Sequence, residues 1–456
     1  MSVTGTRLTI VGGGGFRVPQ VFEAAADPAG PVRITEVALH DVDEGRLRVM
    51  ARVLGRMAAA LPDPPRVIAT TDLDEALRGS RFVFTAVRVG GTAGRVLDER
   101  VALRLGVLGQ ETVGPGGLAY ALRTVPVLTG VARRIAAVAP DAWTVNFTNP
   151  AGIVTEAMRR VLGDRVVGIC DTPIGLMRRA SGALTGAAGG AGAGGFDYVG
   201  LNHLGWLRSV LVDGADRLPE LIAGDRLAEI EEARLLGLAW VRALGVLPNE
   251  YLYYYYFPRE AVARSRAAER TRGEFLRDRQ AAFYAEAGAA DDAHAVWARA
   301  HHHREATYMA EARTGDETGG EAGARRPVDA AGGYHRVALD LMAALATGRP
   351  ATMILDVPNA GLVPELPDEA VIEVGCVADA EGVHPWHIAP VEGHMLGLMS
   401  SVKAAEQLTI DAALTGDATL AWRAFALHPL VDSVAVGRRL LDDYRQAFPG
   451  LGDVLR

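Results

Sequence analysis

Two cysteines, Cys170 and Cys376, are the only thiols in 456 residues. That is too few for a disulfide framework, and free thiols point to a reducing compartment. No apolar run approaches the roughly 20 residues that a membrane-spanning helix needs. The first apolar run, Leu8 to Val11, stops at glycines, and no basic segment leads into a long apolar one, so no secretory signal is expected. A cytoplasmic location with no membrane partner is the expectation. Positive charge is not in excess either. A net charge of −8 argues against nucleic acid as the main partner, yet leaves room for a local basic pocket that takes a small anion. No internal repeat is visible. The remaining composition, 49% hydrophobic and 22% charged, is that of a soluble globular chain too long for one ordinary core, so two domains are expected.

The first third alternates strand and helix patterns. Strands are predicted at Arg7 to Val11, Ile34 to His40, Arg66 to Ala69, Phe82 to Val87, Trp143 to Phe147 and Val166 to Ile169. Helices are predicted at Val18 to Ala25, from Glu44, at Asp72 to Leu77, Leu118 to Ala139 and Ala151 to Leu162. This order predicts an α/β fold with a doubly wound, Rossmann-type parallel sheet whose ligands lie at the carboxyl ends of the strands. The next stretch, Gly182 to Gly195, has almost no side chains to pack and reads as an exposed, mobile loop. Leu218 to Leu247 is helical by period, and Arg259 to Arg279 reads as a solvated amphipathic helix. His301 to His303 are consecutive, point in different directions on any regular element, and are assigned to the surface. Asp316 to Pro327 is a polar loop, Gly332 to Ala346 a helix, Met353 to Val357 and Val371 to Val377 strands, and the chain closes in helices from Glu392.

Three places carry chemistry. The first strand runs into Gly12, Gly13, Gly14 and Gly15 ahead of a helix, the context in which backbone N–H groups approach a pyrophosphate. Arg17 stands where the usual fingerprint has its last glycine. Asp41, at the tip of the second strand, is placed to take ribose hydroxyls and favours NAD over NADP, or else caps the helix from Glu44. Asn149 either caps the helix that begins at Pro150 or touches substrate. Cys170-Asp171 follows a buried strand, and His203 comes about thirty residues later in a similar apolar setting. A thiolate, an imidazole and an acid there look like half of a metal site, although a buried cysteine is also a small core hydrophobe.

Six motifs then occur in order: Val11-Gly12-Gly13-Gly14; Gly109-Gln110-Glu111-Thr112 with Gly116-Gly117; Asn146-Phe147-Thr148-Asn149-Pro150; Cys170-Asp171-Thr172-Pro173; Gly200-Leu201-Asn202-His203; and Tyr251-Leu252-Tyr253-Tyr254-Tyr255. Together they resemble glycoside hydrolase family 4, the NAD- and metal-dependent glycosidases, and most of all its 6-phospho-β-glucosidases. The resemblance runs from residue 7 to about residue 445. It implies a fold like that of lactate and malate dehydrogenases, with residues 1–170 as an NAD-binding domain and 171–456 as an α+β domain for substrate and oligomerisation. A homodimer or homotetramer is implied.

The chemistry implied by the resemblance is hydrolysis through transient oxidation. NAD+ takes a hydride from carbon 3 of the sugar, a base removes the acidified hydrogen on carbon 2, and the aglycone leaves carbon 1. Water adds, the hydride returns, and there is no net redox change. The substrate is a phosphorylated disaccharide or aryl glucoside. The resemblance assigns Gly12, Gly13, Gly14, Gly15, Phe16 and Asp41 to the cofactor and Cys170 and His203 to a divalent metal, usually Mn2+. A thiolate with an imidazole also suits softer ions. Tyr251 matches the base, a phenol that needs a nearby cation to ionise near neutral pH. Asn149, Asn202, Arg95 and Arg270 fall at substrate positions, the two arginines at the 6-phosphate, with Arg270 against Arg272 left open. One departure concerns the residue after the metal cysteine. Many β-acting relatives have Asn there, whereas Asp171 resembles the acid of α-acting members. A non-phosphorylated or α-linked substrate, a plain NAD-dependent dehydrogenase of a small polyol or hydroxy acid, and a silent dinucleotide-binding protein are the competing readings.

Overall fold

Short runs rich in β-branched and aromatic residues, mostly buried except in the edge strand β3, make the strands of the first half: β1 (Thr6–Val11), β2 (Ile34–His40), β3 (Arg66–Thr70), β4 (Phe82–Thr85), β5 (Trp143–Asn146) and β6 (Val166–Gly168). In the computed structural model, which describes residues 5–186, 193–306 and 333–456, these six pair in parallel in the order β3-β2-β1-β4-β5-β6. This is the doubly wound Rossmann order that the alternation predicts, and it places the topological reversal beside β1.

The sheet does not stop at β6. β7 (Ala193–Leu201), β8 (Leu204–Val212), β9 (Ala215–Asp216), β10 (Leu247–Pro248), β11 (Ala351–Pro358), β12 (Val371–Asp379) and β13 (Gly382–Pro385) extend it through antiparallel pairs. The path continues β6-β11-β12-β7-β8-β10, with Asp356 of β11 opposite Gly168 of β6. One apolar cluster is therefore continuous across the change of direction, from Leu8, Ile10 and Phe84 to Ile354, Ile372 and Val374. Burying such side chains contributes about 1.5–3 kcal/mol each. A second cluster packs the helix Gly114–Val138 against the closing helices through Leu118, Phe425, Leu440 and Tyr444.

Several elements differ from the sequence expectation. The long helix begins at Gly114 rather than Leu118, with Pro115 in its first turn, where a missing N–H costs no helical hydrogen bond. Leu218 to Leu247 is not one helix. It breaks into Leu218–Ala223, the short 3-10 turn Asp225–Glu229, Glu231–Leu236 and Glu-free Leu238–Leu244, with glycines 224, 237 and 245 at three of the ends. The arginine-rich stretch is likewise two helices, Pro258–Ala267 and Arg272–Ala289, the second opened by a capping box between Thr271 and Glu274. Gly182 to Thr185 end the helix Thr172–Thr185, with Ala183 buried, and Ala193 already belongs to β7, so the expected loop is shorter than residues 182–195. Of the three consecutive histidines, His302 and His303 are exposed, but His301 stacks on Trp297 at 4.9 Å. The polar stretch from Asp316 to Pro327 lies outside the described residues.

Candidate active site

The carboxyl ends of β1, β2, β4, β5 and β6 open on a cleft of about 900 Å³. Its wall includes Gly12, Gly14, Gly15, Phe16, Asp41, Arg95, Asn149, Cys170, Asp171, Asn202, His203 and Tyr251. Two residues expected there are not on that wall. Gly13 is tucked behind it, its N–H donating to the His40 carbonyl at 2.7 Å, and a Cβ there would lie 2.7 Å from Leu39 Cβ. Arg270 is exposed and pairs with Asp278 at 3.6 Å, and Arg272, two residues on, lines the cleft instead. The cause is the helix break: Thr271 caps the helix Arg272–Ala289, and Arg270 falls in the turn before it.

The glycine loop is shaped by close approach. Gly12 has φ +93°, and a Cβ there would lie 2.4 Å from the Ala86 carbonyl oxygen. Asp41 does not cap the following helix; Asp43 does, accepting from the Arg46 N–H. The Asp41 carboxylate instead accepts from the Gly14 N–H at 2.9 Å, tying the tip of β2 to the loop. Aromatic side chains from the second half hold the loop's carbonyls from the other side. Tyr284 Oη donates to Gly14 O at 2.6 Å, Trp297 Nε1 to Phe16 O at 2.8 Å and Tyr334 Oη to Arg17 O at 2.9 Å.

Asn149 also does not cap its helix. Pro150 occupies that position, and the first N–H, of Ala151, donates to Asn202 Oδ1 at 3.2 Å. The Asn149 Oδ1 atom is buried with no hydrogen-bond partner among the described residues, an acceptor left for a ligand in the cleft. Asp171 stands at the start of the helix Thr172–Thr185 without a side-chain capping bond, which leaves its carboxylate on the cleft wall.

His203 closes the two-residue turn between β7 and β8 with φ 64°, a left-handed conformation that costs a non-glycine residue about 1–3 kcal/mol. Its Nδ1 lies 2.9 Å from Thr112 Oγ1, and its ring is stacked on Tyr251. Burial lowers the imidazole to about 4 against the opposing pull of Glu111 and Asp171, so the ring is neutral, the state in which a histidine binds metal. Burial, with Glu373 and Asp171 nearby, pushes the Cys170 thiol well up, while the Thr172 N–H works the other way. Such a thiol is held as a thiolate only beside a cation.

The donor set thus fits a divalent metal: one sulfur and one imidazole nitrogen on the same wall, the remaining coordination positions facing the cleft. Among the described residues the one tight group of three potential ligands is Asp379, Glu381 and His384, on the β12–β13 hairpin outside the cleft.

Beneath this wall, Glu373 of β12 accepts from Asn202 Nδ2 at 3.4 Å and from Tyr198 Oη at 3.1 Å. Tyr198 Oη in turn accepts from Asn249 Nδ2 at 3.0 Å, and Asn249 Oδ1 accepts from the Tyr251 N–H at 3.1 Å. One buried carboxyl therefore stands behind both the His203 turn and the Tyr251 turn. Deeper still, Lys403, the single lysine of the sequence, is buried between Glu156 (3.0 Å) and Glu406 (2.6 Å).

The other end of the cleft is basic. Arg17, Arg95, Arg272 and Arg304 line it with one acid, Glu111, which pairs with Arg95 at 2.7 Å and with Arg88. Burial would push the Glu111 carboxyl up, but Arg88, Arg95, Arg304 and Arg17 hold it at about 2. Burial and the crowding of Arg17, Arg95 and Arg272 pull Arg304 down to about 9, partly offset by Glu111. Guanidinium groups keep their protons in proteins, so the crowding concentrates positive charge at this end of the cleft rather than yielding a neutral arginine. The sequence carried a signal for Glu111 and Thr112, which lie in a recognisable motif. The sequence leaves Arg272 open against Arg270, and nothing local sets Arg304 apart from the surface arginines around it.

A Rossmann-type sheet extended by an antiparallel half, with a glycine loop, a thiol–imidazole pair and an arginine cluster around one cleft, defines a dinucleotide-fold enzyme of the dehydrogenase architecture. A malate dehydrogenase of Plasmodium falciparum shares that architecture at 11% identity and a TM-score of 0.52, over 90% of this chain and 98% of that one. The chain itself belongs to glycoside hydrolase family 4: residues 7–185 match "Family 4 glycosyl hydrolase" and residues 198–431 its C-terminal domain. It is 31% identical to the 6-phospho-alpha-glucosidase 1 of Lacticaseibacillus paracasei, over 95% of each chain. It is 28% identical to the 6-phospho-beta-glucosidase of Escherichia coli, over 98% of this chain and 97% of that one. The 6-phospho-beta glucosidase of Thermotoga maritima, solved with manganese, NAD+ and glucose-6-phosphate, superposes with a TM-score of 0.80 at 25% identity, over 98% of this chain and 99% of that one. No helix among the described residues is long and apolar enough to cross a membrane.

Proposed function

We propose that the chain hydrolyses 6-phosphoglucosides, with β-linked substrates leading, using NAD+ and a divalent metal, Mn2+ as in the solved relative. The observation that carries this reading is the shared cleft: Cys170, His203, Tyr251 and Asp171 stand on one wall, and four arginines gather at the phosphate end. When bound at the glycine loop and Asp41, NAD+ supplies a hydride acceptor at carbon 3 of the sugar that returns the hydride at the end. When held by Cys170 and His203, the metal supplies Lewis-acid polarisation of the sugar oxygens.

The protein's own groups do the rest. The phenol oxygen of Tyr251 takes the proton from carbon 2. Asp171 gives a proton to the glycosidic oxygen as the bond to carbon 1 breaks, and water then adds at carbon 1 while a proton returns to carbon 2. Arg95, Arg272 and Arg304 fix the 6-phosphate, and their charge suits a dianion better than a neutral hydroxymethyl group. Asn149 Oδ1 is left to accept from a sugar hydroxyl.

A second reading, α-linked phosphoglucosides, is favoured by Asp171, whose carboxylate is not spent on a helix cap. A panel of α- and β-nitrophenyl glucosides, plain and 6-phosphorylated, assayed with NAD+ and Mn2+, tests both. The expected result is nitrophenol release from the phosphorylated β-compound, dependent on NAD+ and metal, with no lasting NADH absorbance. Lasting NADH would identify a dehydrogenase, and equal cleavage of the plain compounds would remove the phosphate from the reading.

A further inference from the structure

The Tyr251 stack fixes the plane of the His203 ring but not which edge faces which way, because a half-turn about Cβ–Cγ leaves a stacked ring in the same plane. The edge is selected by Thr112 Oγ1, 2.9 Å from Nδ1. Which of the two atoms carries the proton is decided two residues further back, at Gln110. Gln110 Oε1 receives the backbone N–H groups of Thr112 and Val113, both at 2.6 Å. Backbone N–H groups only donate, so this atom is the amide oxygen and not the amide nitrogen, and it can only accept. Thr112 Oγ1 lies 3.1 Å from the same oxygen.

The hydroxyl has one proton for two neighbours. If it pointed at His203 Nδ1, two oxygens would face each other at 3.1 Å with no hydrogen between them. If it points at Gln110, both contacts are satisfied: Nδ1–H donates to Oγ1, and Oγ1–H donates to Oε1. From this we infer that Gln110 and Thr112 set the tautomer of His203, holding the proton on Nδ1 and the lone pair on Nε2 before any metal arrives. Thr112 is then a positioning residue for a metal ligand, a role that rests on the reading of His203 given above.

The support is stiff. Carbon added at Gly116 would lie 2.2 Å from the Gln110 carbonyl oxygen, and at Gly117 2.5 Å from the Thr112 carbonyl, so the helix Gly114–Val138 packs directly on this turn. Partners behind a ligating histidine typically change metal affinity by about 10- to 100-fold when removed.

Nitrogen-15 NMR of histidine-labelled, metal-free enzyme reads the tautomer directly, the His203 signals being assigned by their loss in His203→Asn. The expected wild-type pattern is a protonated Nδ1 and a bare Nε2. Thr112→Val should lose this preference and weaken Mn2+ binding by about 10- to 100-fold, read by the electron-spin signal of free Mn2+. NAD+ affinity should stay as in wild type, and Thr112→Ser should restore both the tautomer and the metal affinity. A proton on Nε2 in the metal-free wild type, or wild-type Mn2+ affinity in Thr112→Val, overturns the role of Thr112 alone. Wild-type Mn2+ affinity in His203→Asn refutes the ligand reading itself, and with it the purpose assigned to Thr112.

Discussion

The imidazole of His203 and the phenol ring of Tyr251 lie face to face, their centroids 3.7 Å apart and their planes within 6° of parallel. The two residues come from separate turns, the β7–β8 hairpin and the 3-10 turn Glu250–Leu252, and both turns lead back to Glu373. Fixing one ring therefore fixes the other. In the proposed chemistry, this holds the proton acceptor at a constant position relative to the metal-bound sugar.

Tyr251→Phe keeps the ring and removes only the phenol oxygen. Turnover should fall by about 10²- to 10⁴-fold, the usual contribution of a general base, with Mn2+ affinity little changed. With wild-type enzyme, deuterium at carbon 2 of the substrate should be exchanged with solvent in the released sugar phosphate. Complete retention of that label would exclude Tyr251 as the base.

Asp171→Asn separates the acid from the rest of the site. A nitrophenolate leaves without protonation, whereas a sugar alkoxide does not. The variant should lose about 10²- to 10⁴-fold on a phosphorylated disaccharide and far less on the nitrophenyl compound. Equal losses on the two substrates would show that Asp171 does not protonate the leaving oxygen.

The arginine cluster sets the phosphate requirement. A hydrogen bond to a charged group contributes about 1.5–3 kcal/mol, so Arg272→Ala or Arg304→Ala should weaken glucose 6-phosphate binding by about 10- to 150-fold. Arg270→Ala, remote from the cleft wall, should change it less than about twofold, within the range of an exposed ion pair. Isothermal titration calorimetry on the three variants distinguishes them.

Asp356 gives a pH dependence with a definite sign. Both its oxygens are buried without hydrogen-bond partners among the described residues, and burial raises it from 3.8 to about 7, with Lys403 pulling it down and Glu406 pushing it up. Its partner across the strands, Glu373, is raised too, by burial and by Asp356 itself. Between about pH 4 and 7 the unfolded chain has ionised this group and the folded chain has not, so stability falls as pH rises through that window. Asp356→Asn cannot ionise. Its stability relative to wild type should climb across the window, measured by urea unfolding at several pH values. A constant difference would show that Asp356 titrates normally.

Much of this was legible along the chain. The β-branched runs, the glycines after β1 and the turns at Asn149, Cys170 and His203 mark strand ends, and strand ends of a doubly wound sheet share one edge. Local order also left two explanations open at some positions. Asp41 and Asn149 could be read as helix caps or as ligand contacts, and the caps are supplied instead by Asp43 and by Asn202, 51 positions from the Ala151 N–H that it accepts from. Periodicity ran Leu218 to Leu247 together because it counts apolar positions and does not weigh the glycines between them.

By itself the sequence determined the strand order's raw material, the motif residues and the charge types available, since these depend on periodicity and on side-chain chemistry that survive without a partner. Only the tertiary structure decided which arginines face the cleft, that Glu111 sits among them, and that His203 lies against Tyr251 with Thr112 on its edge. Those choices depend on helix phase and on contacts between residues tens to hundreds of positions apart. Among 46 arginines and one lysine, the place of each in the fold, not its identity, separates the anion site from the surface.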